Sequence, residues 1–206
     1  MSLFLGIDFG TTGVRSSIID KNKKELINFS VSIDSPISKG SLVYQNPSLW
    51  WSALIKNLTF LKTKIELNKI ERLSIDGTSG TVLITDHLGS PLDDALMYND
   101  ASAVKESKLV ESISDNHPIV STSTNALVRA LSLINKLKKE KYRILHQADW
   151  IACKIIDDYM YSDENNALKL GYDCIERSWP KWFDQLPIEM NSLPDIKIPG
   201  QSIGEL

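Results

Sequence analysis

The sequence has few of the residues that build disulfides and zinc sites. Of its 206 residues, two are cysteine and three are histidine. Cys153 and Cys174 stand alone, without a CxxC pair, so we interpret both as reduced thiols in or near a core. The histidines are equally scattered and lack the close Cys/His/Asp spacing of a zinc site. We therefore expect neither a disulfide framework nor a metal bound by imidazole.

Long apolar runs and a strong charge of one sign are also lacking. No apolar stretch approaches the roughly 20 residues that a helix needs to cross a bilayer, and residues 1–20 do not have the pattern of a signal peptide. The formal net charge of −3 gives no general attraction to phosphate backbones or anionic lipid. We expect no nucleic-acid partner, no membrane partner and a cytoplasmic location.

The remaining composition is that of a globular α/β protein, with 42% hydrophobic and 24% charged residues. Alternating apolar residues predict three strands before any helix, and a helix then begins near Asn46, which can cap it, with Pro47 in its first turn. Two further strands complete a β-β-β-α-β-β order, at about residues 69–75 and 81–85. Later helices are predicted at about 101–114, 125–139 and 148–158, and mostly loops at 180–206.

The strongest local signal is the segment 6–13, which reads GIDFGTTG. Asp8 ends an apolar strand, and Gly10 and Gly13 bracket Thr11 and Thr12. Glycines let a turn present backbone N–H groups to phosphate oxygens, and threonine hydroxyls add donors. A carboxylate at the end of a buried strand is reasonable if it faces Mg²⁺ or a reacting hydroxyl. The alternative is an ordinary hairpin turn with an Asp cap, which composition alone favours.

This hairpin resembles the first phosphate motif of actin-like, ribonuclease H-like ATPases, and its context narrows the resemblance. The bend 76–81 (DGTSGT), the segment 97–100 (MYND), the segment 146–150 (HQADW) and the segment 162–168 (SDENNAL) are similar to FGGY carbohydrate kinases, particularly the D-ribulokinase-like and xylulokinase-like branch. The resemblance covers residues 3–206. It implies a ribonuclease H-like (actin-like ATPase) α/β domain with a mixed five-stranded sheet flanked by helices. It also implies that residues 1–206 are the N-terminal, substrate- and phosphate-facing domain of a two-domain sugar kinase.

The resemblance assigns roles residue by residue. Asp8 is the catalytic acid near the substrate and the transferred phosphate, and it contacts Mg²⁺ through water. The expected ATP phosphate contacts are Gly10, Thr11, Thr12 and Gly13. The expected sugar contacts are Asp8, Thr78, Ser79, Asn99 and Asp100. The xylulokinase-like pattern has Gln-Met-His-Gly at the bend where this chain has hydroxyls, and Ala101 follows Asp100 where an arginine is frequent.

The activity implied for the intact protein is transfer of the ATP γ-phosphoryl group to a ketopentose, with D-ribulose the expected substrate and Mg²⁺ neutralising charge. Asp76, Asp100 and Asp163 are not assigned as the general base, because the family has that base in a later glycine-rich segment. We therefore expect the base, and a C-terminal domain that shares the ATP, beyond Leu206, and an inactive chain on its own. Asp163 is interpreted as structural, holding a loop or capping a turn.

Three alternatives stay open. The chain could be a stand-alone sugar-binding or regulatory module without catalysis, its substrate could be D-xylulose, or it could belong to another actin-fold ATPase class. A homodimer is also left open. The aromatic residues are predicted to pack rather than to stack on sugar, and they are Tyr98, Trp150, Trp179 and Trp182. The lysine-rich run 136–141 is interpreted as a solvated helix end.

Overall fold

The computed structural model describes residues 2–114, 117, 119–120, 122–137 and 141–205. Its elements follow in the order β1 (Leu3–Phe9), β2 (Gly13–Asp20), β3 (Glu25–Ser32), β4 (Ile37–Lys39), β5 (Leu42–Gln45), α1 (Pro47–Lys62), β6 (Ile70–Gly77), β7 (Val82–Thr85), β8 (Ala95–Leu96), α2 (Val104–Ile113), α3 (Ala126–Lys136), β9 (Arg143–His146), α4 (Gln147–Ile156), β10 (Tyr161–Asp163), α5 (Glu164–Leu170) and β11 (Asp195–Lys197). None of the helices in these ranges has the length and hydropathy needed to cross a membrane.

The chain divides into two compact units. The first contains Met1–Pro36 and Asn46–Thr78, and the second contains Ile37–Gln45 and Ser79–Leu206. The first unit therefore carries the predicted hairpin motif, and the second segment of the second unit begins within the predicted bend at 76–81.

The first unit is a four-stranded mixed sheet in the order β3-β2-β1-β6. β1 pairs antiparallel with β2 and parallel with β6. Side chains alternate between the two faces of β1, so that Leu5, Ile7 and Phe9 are buried while Gly6 and Asp8 are exposed. The apolar side chains of β1 must be shielded from water, and a helix of the same unit packs over them.

Helix α1 packs on this sheet. Asn46 accepts a hydrogen bond from the backbone N–H of Ser48, and Pro47 lies in the first turn, so the predicted start of the helix is confirmed. Trp50 is fully buried. Phe60 stacks on Phe29 of β3 with 3.6 Å between ring centroids. The helix thus fixes the apolar face and leaves the row containing Asp8 on the other side.

The second unit contains a five-stranded sheet, in the order β4-β5-β8-β7-β9, and a two-stranded sheet of β10 and β11. Every pairing given for the larger sheet is antiparallel. Its core joins β7 and β9 to α3, whose inward side chains include Leu127 and Leu131, and to Phe183 of a 3₁₀ turn at Lys181–Gln185. This core supports the segments that carry Ser79 and Asn99.

Several sequence expectations need adjustment. Within the described residues the mixed sheet has four strands rather than five, because Val82–Thr85 pairs with β8 and β9 in the other sheet. The strands β4 and β5, which pair with each other and with β8, were not predicted. The three later helices were predicted to within a few residues, although the expected end of the middle one and half of the lysine-rich run lie outside the described residues.

The aromatic residues follow the packing prediction with one exception. Trp150 is buried, and its indole N–H donates to the carbonyl of Gly89 at 2.8 Å. Trp179 and Trp182 pack against the core of the second unit. Tyr98 departs from the prediction because its side chain is 48% exposed. Both cysteines are free, as predicted.

Candidate functional site

Asp8 lies on the open face of the first sheet, near the end of β1. Its side chain is 52% exposed and forms an ion pair with Arg15 of β2, with 3.4 Å between Oδ2 and Nη1. The two residues face each other because Asp8 and Arg15 are partners in the antiparallel register of β1 and β2. A half-exposed carboxylate with one exposed cationic neighbour keeps most of its hydration, so this pair contributes little to stability.

A second carboxylate lies beside Asp8 on the same face. Asp76 of β6 is its partner in the parallel register, and it too is exposed. One Asp76 oxygen accepts a hydrogen bond from the N–H of Gly77 at 2.8 Å. Residues opposite each other on neighbouring strands point to the same face. The open face therefore carries a row of Arg15, Asp8 and Asp76 across three strands.

The turn after β1 is closed by its own backbone. The N–H of Gly10 donates to the carbonyl of Gly13 at 2.9 Å, and the carbonyl of Thr12 accepts from the N–H of Ile33 at 2.9 Å. This corrects the expectation that Gly10 presents an unobstructed N–H group, since that group is already used inside the turn. Thr11 is half-buried and Thr12 is exposed.

Gly13 is required by space rather than by backbone dihedrals. Neither glycine of the turn has a positive φ. A Cβ on Gly13 would lie 3.2 Å from the carbonyl oxygen of Val31 on the neighbouring strand, tighter than an ordinary contact. The close approach of β2 and β3 at this position therefore selects glycine.

The chemistry of these side chains fits a water-mediated Mg²⁺ contact. Among the described residues no group of three or more His, Cys, Asp or Glu side chains could hold a metal ion. Mg²⁺ does not require such a group, because it commonly uses one or two carboxylates together with waters and the phosphates of the substrate. Asp8, with Asp76 beside it, matches that donor set.

Thr78 closes the end of β6. Its hydroxyl donates to the carbonyl of Phe9 at 3.1 Å, so it ties the last residue of β1 to the bend that follows β6. The structure thus places this predicted sugar contact at the same end of the sheet as Asp8 and the glycine turn.

The predicted sugar contacts of the second unit differ in exposure. Ser79 and Asn99 are exposed. Asp100 is fully buried, and its carboxylate accepts hydrogen bonds from the N–H of Val43 at 2.7 Å and from the hydroxyl of Ser102 at 2.9 Å. This departs from the expectation of an exposed sugar contact, since both Asp100 oxygens are used to hold the segment in place.

Arg129 of α3 was not predicted, and its side chain contacts both of these segments. It is 1% exposed. Its guanidinium donates to the carbonyls of Gly80, Tyr98, Asp100 and Thr124. Burial lowers the pKa of Arg129 to about 10, and the charge of Asp100 opposes that shift. The group therefore stays charged at neutral pH. The available signal was a single arginine within the apolar stretch 126–134.

Asp163 has the structural role expected of it. It caps α5 by accepting a hydrogen bond from the N–H of Asn166 at 2.9 Å. Nearby, the buried carboxylate of Asp149 accepts from Ser162 at 2.7 Å and from the side chain of Asn166 at 2.8 Å. Burial raises the pKa of Asp163, and hydrogen bonds from the N–H groups of the helix oppose the shift. These contacts hold α4, β10 and α5 together.

Comparison with known proteins places this fold among the sugar kinases. A solved structure described as a xyloylose kinase from Brucella ovis superposes with a TM-score of 0.83 over 95% of this chain and 43% of that one, at 16% identity. The family model for the N-terminal domain of the FGGY family of carbohydrate kinases matches residues 3–206. The chain belongs to this family, as its motifs predicted, and its actin-like fold class is confirmed.

Curated relatives differ in the substrate that they are named for. A xylulose kinase from Staphylococcus xylosus is 22% identical over 100% of this chain and 45% of its own length. A glycerol kinase from Mycoplasma genitalium is 21% identical over 98% of this chain and 44% of its own length. The chain thus spans about half the length of the curated relatives that it matches.

Proposed function

We propose that the complete protein transfers the γ-phosphoryl group of ATP to a hydroxyl of a ketopentose, with D-ribulose as the first candidate. The observation that carries this proposal is the half-exposed Asp8 carboxylate beside the glycine turn of β1 and β2, in a chain that belongs to the FGGY carbohydrate kinases. Phosphoryl transfer depends mainly on positioning and on charge stabilisation, which is what such a carboxylate and turn supply.

Asp8 and Asp76 are proposed to hold Mg²⁺ through water. The ion, when bound with ATP, neutralises charge on the phosphates during transfer. Arg15 is the counter-charge of Asp8 on the open face of the sheet. Because that ion pair is exposed and weak, its replacement by a cation at Asp8 costs little.

Thr11, Thr12 and Gly13 are proposed to face the phosphates of ATP. The N–H of Gly10 is left out of this role because it closes the turn. The contribution of Gly10 is instead to shape the hairpin. We propose that the adenosine group and the general base are supplied by the rest of the complete protein.

The sugar is proposed to contact the exposed side chains of Ser79 and Asn99, and Thr78 stays a proposed sugar contact from the family resemblance. D-Ribulose is favoured over D-xylulose because the bend at 76–81 offers hydroxyls where the xylulokinase-like pattern has an imidazole. A difference of one hydroxyl contact between two sugars changes the transition-state free energy by roughly 1 to several kcal/mol. The choice among ketopentoses therefore needs a direct measurement.

The test is a coupled assay of ADP release by the complete protein, with D-ribulose, D-xylulose, L-ribulose and glycerol as substrates. We expect the highest kcat/KM with D-ribulose. Asp8→Asn should lower kcat by about 100-fold or more, since it removes a charge used in the transition state. Glu71→Gln, which neutralises an exposed acid elsewhere on β6, is the matched control and should leave kcat unchanged.

Two results would contradict the proposal. Equal loss of activity in the Asp8 and Glu71 variants would show that Asp8 has no specific role at the phosphate site. Sugar binding by calorimetry without any ADP release from the complete protein would favour a sugar-binding module instead.

A further inference from the structure

Arg129 joins two chain segments that lie far apart in sequence. One end of its guanidinium, Nη2, donates to the carbonyl of Gly80 at 2.6 Å. The other, Nη1, donates to the carbonyls of Tyr98 at 3.1 Å and Asp100 at 3.3 Å. All of these residues belong to the second unit. A single planar group therefore spans the bend after β6 and the segment after β8.

These two segments carry the exposed residues proposed to contact sugar. Ser79 directly precedes Gly80, and Asn99 lies between Tyr98 and Asp100. The guanidinium thus binds the carbonyls of the two residues on either side of Asn99, and it also binds the carbonyl of Gly80, the residue that follows Ser79. A planar fork with fixed donor directions sets the distance between its acceptors more rigidly than an ammonium group does.

The approach of the bend to Arg129 leaves little space for a side chain on Gly80. This glycine has a φ of +82°, and a Cβ there would lie 3.3 Å from Nη2, which is a tight contact. The left-handed dihedral favours glycine, and the contact adds to that preference. Among the described residues, Nε of Arg129 has no hydrogen-bond partner, so the guanidinium makes its hydrogen bonds through its two terminal nitrogens alone.

Stability alone accounts poorly for this arrangement. The guanidinium donates its hydrogen bonds to neutral carbonyls, and the charge of Asp100 offsets only part of the effect of burial on its pKa. Burying such a charge is costly, and an apolar side chain of similar size commonly serves a core as well. A protein can retain such a buried charge where function needs a fixed geometry. Here the guanidinium fixes two loops that carry the exposed polar residues Ser79 and Asn99.

We propose that Arg129 is a positioning residue for sugar recognition, which holds Ser79 and Asn99 at a set separation by joining the backbones of their segments. This inference rests on the proposed sugar-kinase function. It concerns how the sugar is held and not the chemical step, because the buried guanidinium does not reach solvent.

The experiment compares Arg129→Lys and Arg129→Met in the complete protein. Lysine keeps the charge but has a single donor nitrogen, so it cannot span both segments, whereas methionine fills the space without any donor. The matched control is Arg143→Met, which removes an arginine of β9 that also donates to a backbone carbonyl, that of Asn191. Hydrogen exchange of residues 79–81 and 97–101 is measured without sugar, and KM is measured for sugar and for ATP.

Both Arg129 variants should exchange about tenfold faster or more in the two segments, and Arg143→Met should not. The KM for sugar should rise about tenfold or more in both variants, with the KM for ATP within about twofold of wild type, because loss of positioning by 1 Å has effects of this size. Arg129→Lys is the milder change and keeps the test usable if Arg129→Met does not fold.

Unchanged exchange in either segment would overturn the inference, and so would an equal rise of both KM values. If the wild-type protein releases no ADP with any of the four sugars, the proposed function fails. The exchange measurement then decides by itself whether Arg129 fixes the two segments.

Discussion

Gly89 shows how strongly one position in this chain is constrained. Its φ is +76°, and a Cβ there would lie 2.0 Å from the ring of Tyr159, while its carbonyl accepts the indole N–H of Trp150. Gly40 provides a natural comparison, since its φ is +63° but a Cβ would meet nothing within 4 Å. Both residues belong to the second unit.

Alanine substitutions at Gly40 and Gly89 separate the effect of backbone strain on stability from the effect of steric overlap. Gly40→Ala should destabilise the protein by about 1 kcal/mol, the cost of a left-handed backbone for an alanine. Gly89→Ala should cost about 3 kcal/mol, because the ring must also move. Urea unfolding monitored by tryptophan fluorescence measures both. Equal losses in the two variants would show that the Tyr159 ring accommodates the methyl group.

The two cysteines are expected to differ in reactivity. Cys153 is fully buried, and burial raises the pKa of its thiol to about 12. Cys174 is half-buried, and burial raises its pKa as well. Since the thiolate is the reactive form, less than about 0.1% of Cys153 is reactive at pH 8, and the surrounding core blocks access.

Iodoacetamide labelling followed by peptide mass spectrometry should therefore modify Cys174 at least about tenfold faster than Cys153 in the native protein. In denaturant the two rates should become equal, which is the control for the peptides themselves. Equal rates in the native protein would indicate that the core around Cys153 opens readily.

At the scale of elements, helix α5 begins at the N-cap residue Asp163, whose charged form is disfavoured by burial. Asp163 accepts the N–H of Asn166, yet burial raises its pKa. A carboxyl group whose pKa is raised by folding stabilises the protein below the unfolded pKa and loses that contribution as the pH rises through the folded pKa.

Asp163→Asn keeps the cap without the charge, because asparagine caps helices as well as aspartate does. Its free energy of unfolding should therefore improve relative to wild type between pH 4 and pH 7. Asp163→Ala should lose about 1 kcal/mol with the cap. Chemical unfolding at both pH values tests this. A decline of the asparagine variant relative to wild type at pH 7 would show that the native carboxylate is stabilised by its surroundings.

Elements with local signals could be predicted, and elements that depend on distant partners could not. The start of α1 follows from Asn46 and Pro47, which are adjacent in sequence. β5 exists because Tyr44 pairs with Leu96, and β4 exists because Ile37 pairs with Tyr44. Strands of two to four residues are too short to show the alternation of apolar and polar residues that predicts a strand. They can therefore be identified only from their pairing in the folded protein.

At the scale of the whole molecule, the predicted site residues are divided between the two units. Asp8, Gly10, Thr11, Thr12, Gly13 and Thr78 belong to the first, and Ser79, Asn99 and Asp100 belong to the second. The hairpin could be identified because its residues are contiguous. Arg129 could not, because the carbonyls that it binds at Gly80 and Tyr98 are 49 and 31 residues away in the sequence.

The activity of residues 1–206 can be measured apart from the rest of the proposed kinase. The chain spans 45% of the xylulose kinase and 44% of the glycerol kinase that it matches. Since we propose that the general base and the adenosine contacts lie in the rest of the complete protein, residues 1–206 purified alone should release no sugar-dependent ADP. Circular dichroism establishes that the purified chain is folded before the assay is read.

Sugar binding and turnover should then separate. Calorimetry on the folded chain should detect D-ribulose binding that weakens in Ser79→Ala, because the exposed side chains proposed to contact sugar are present, and ADP release should appear only with the complete protein. Turnover by residues 1–206 would place a general base within them. Asp76, in register with Asp8 on the open face of the sheet, would then be the first acid to replace with asparagine.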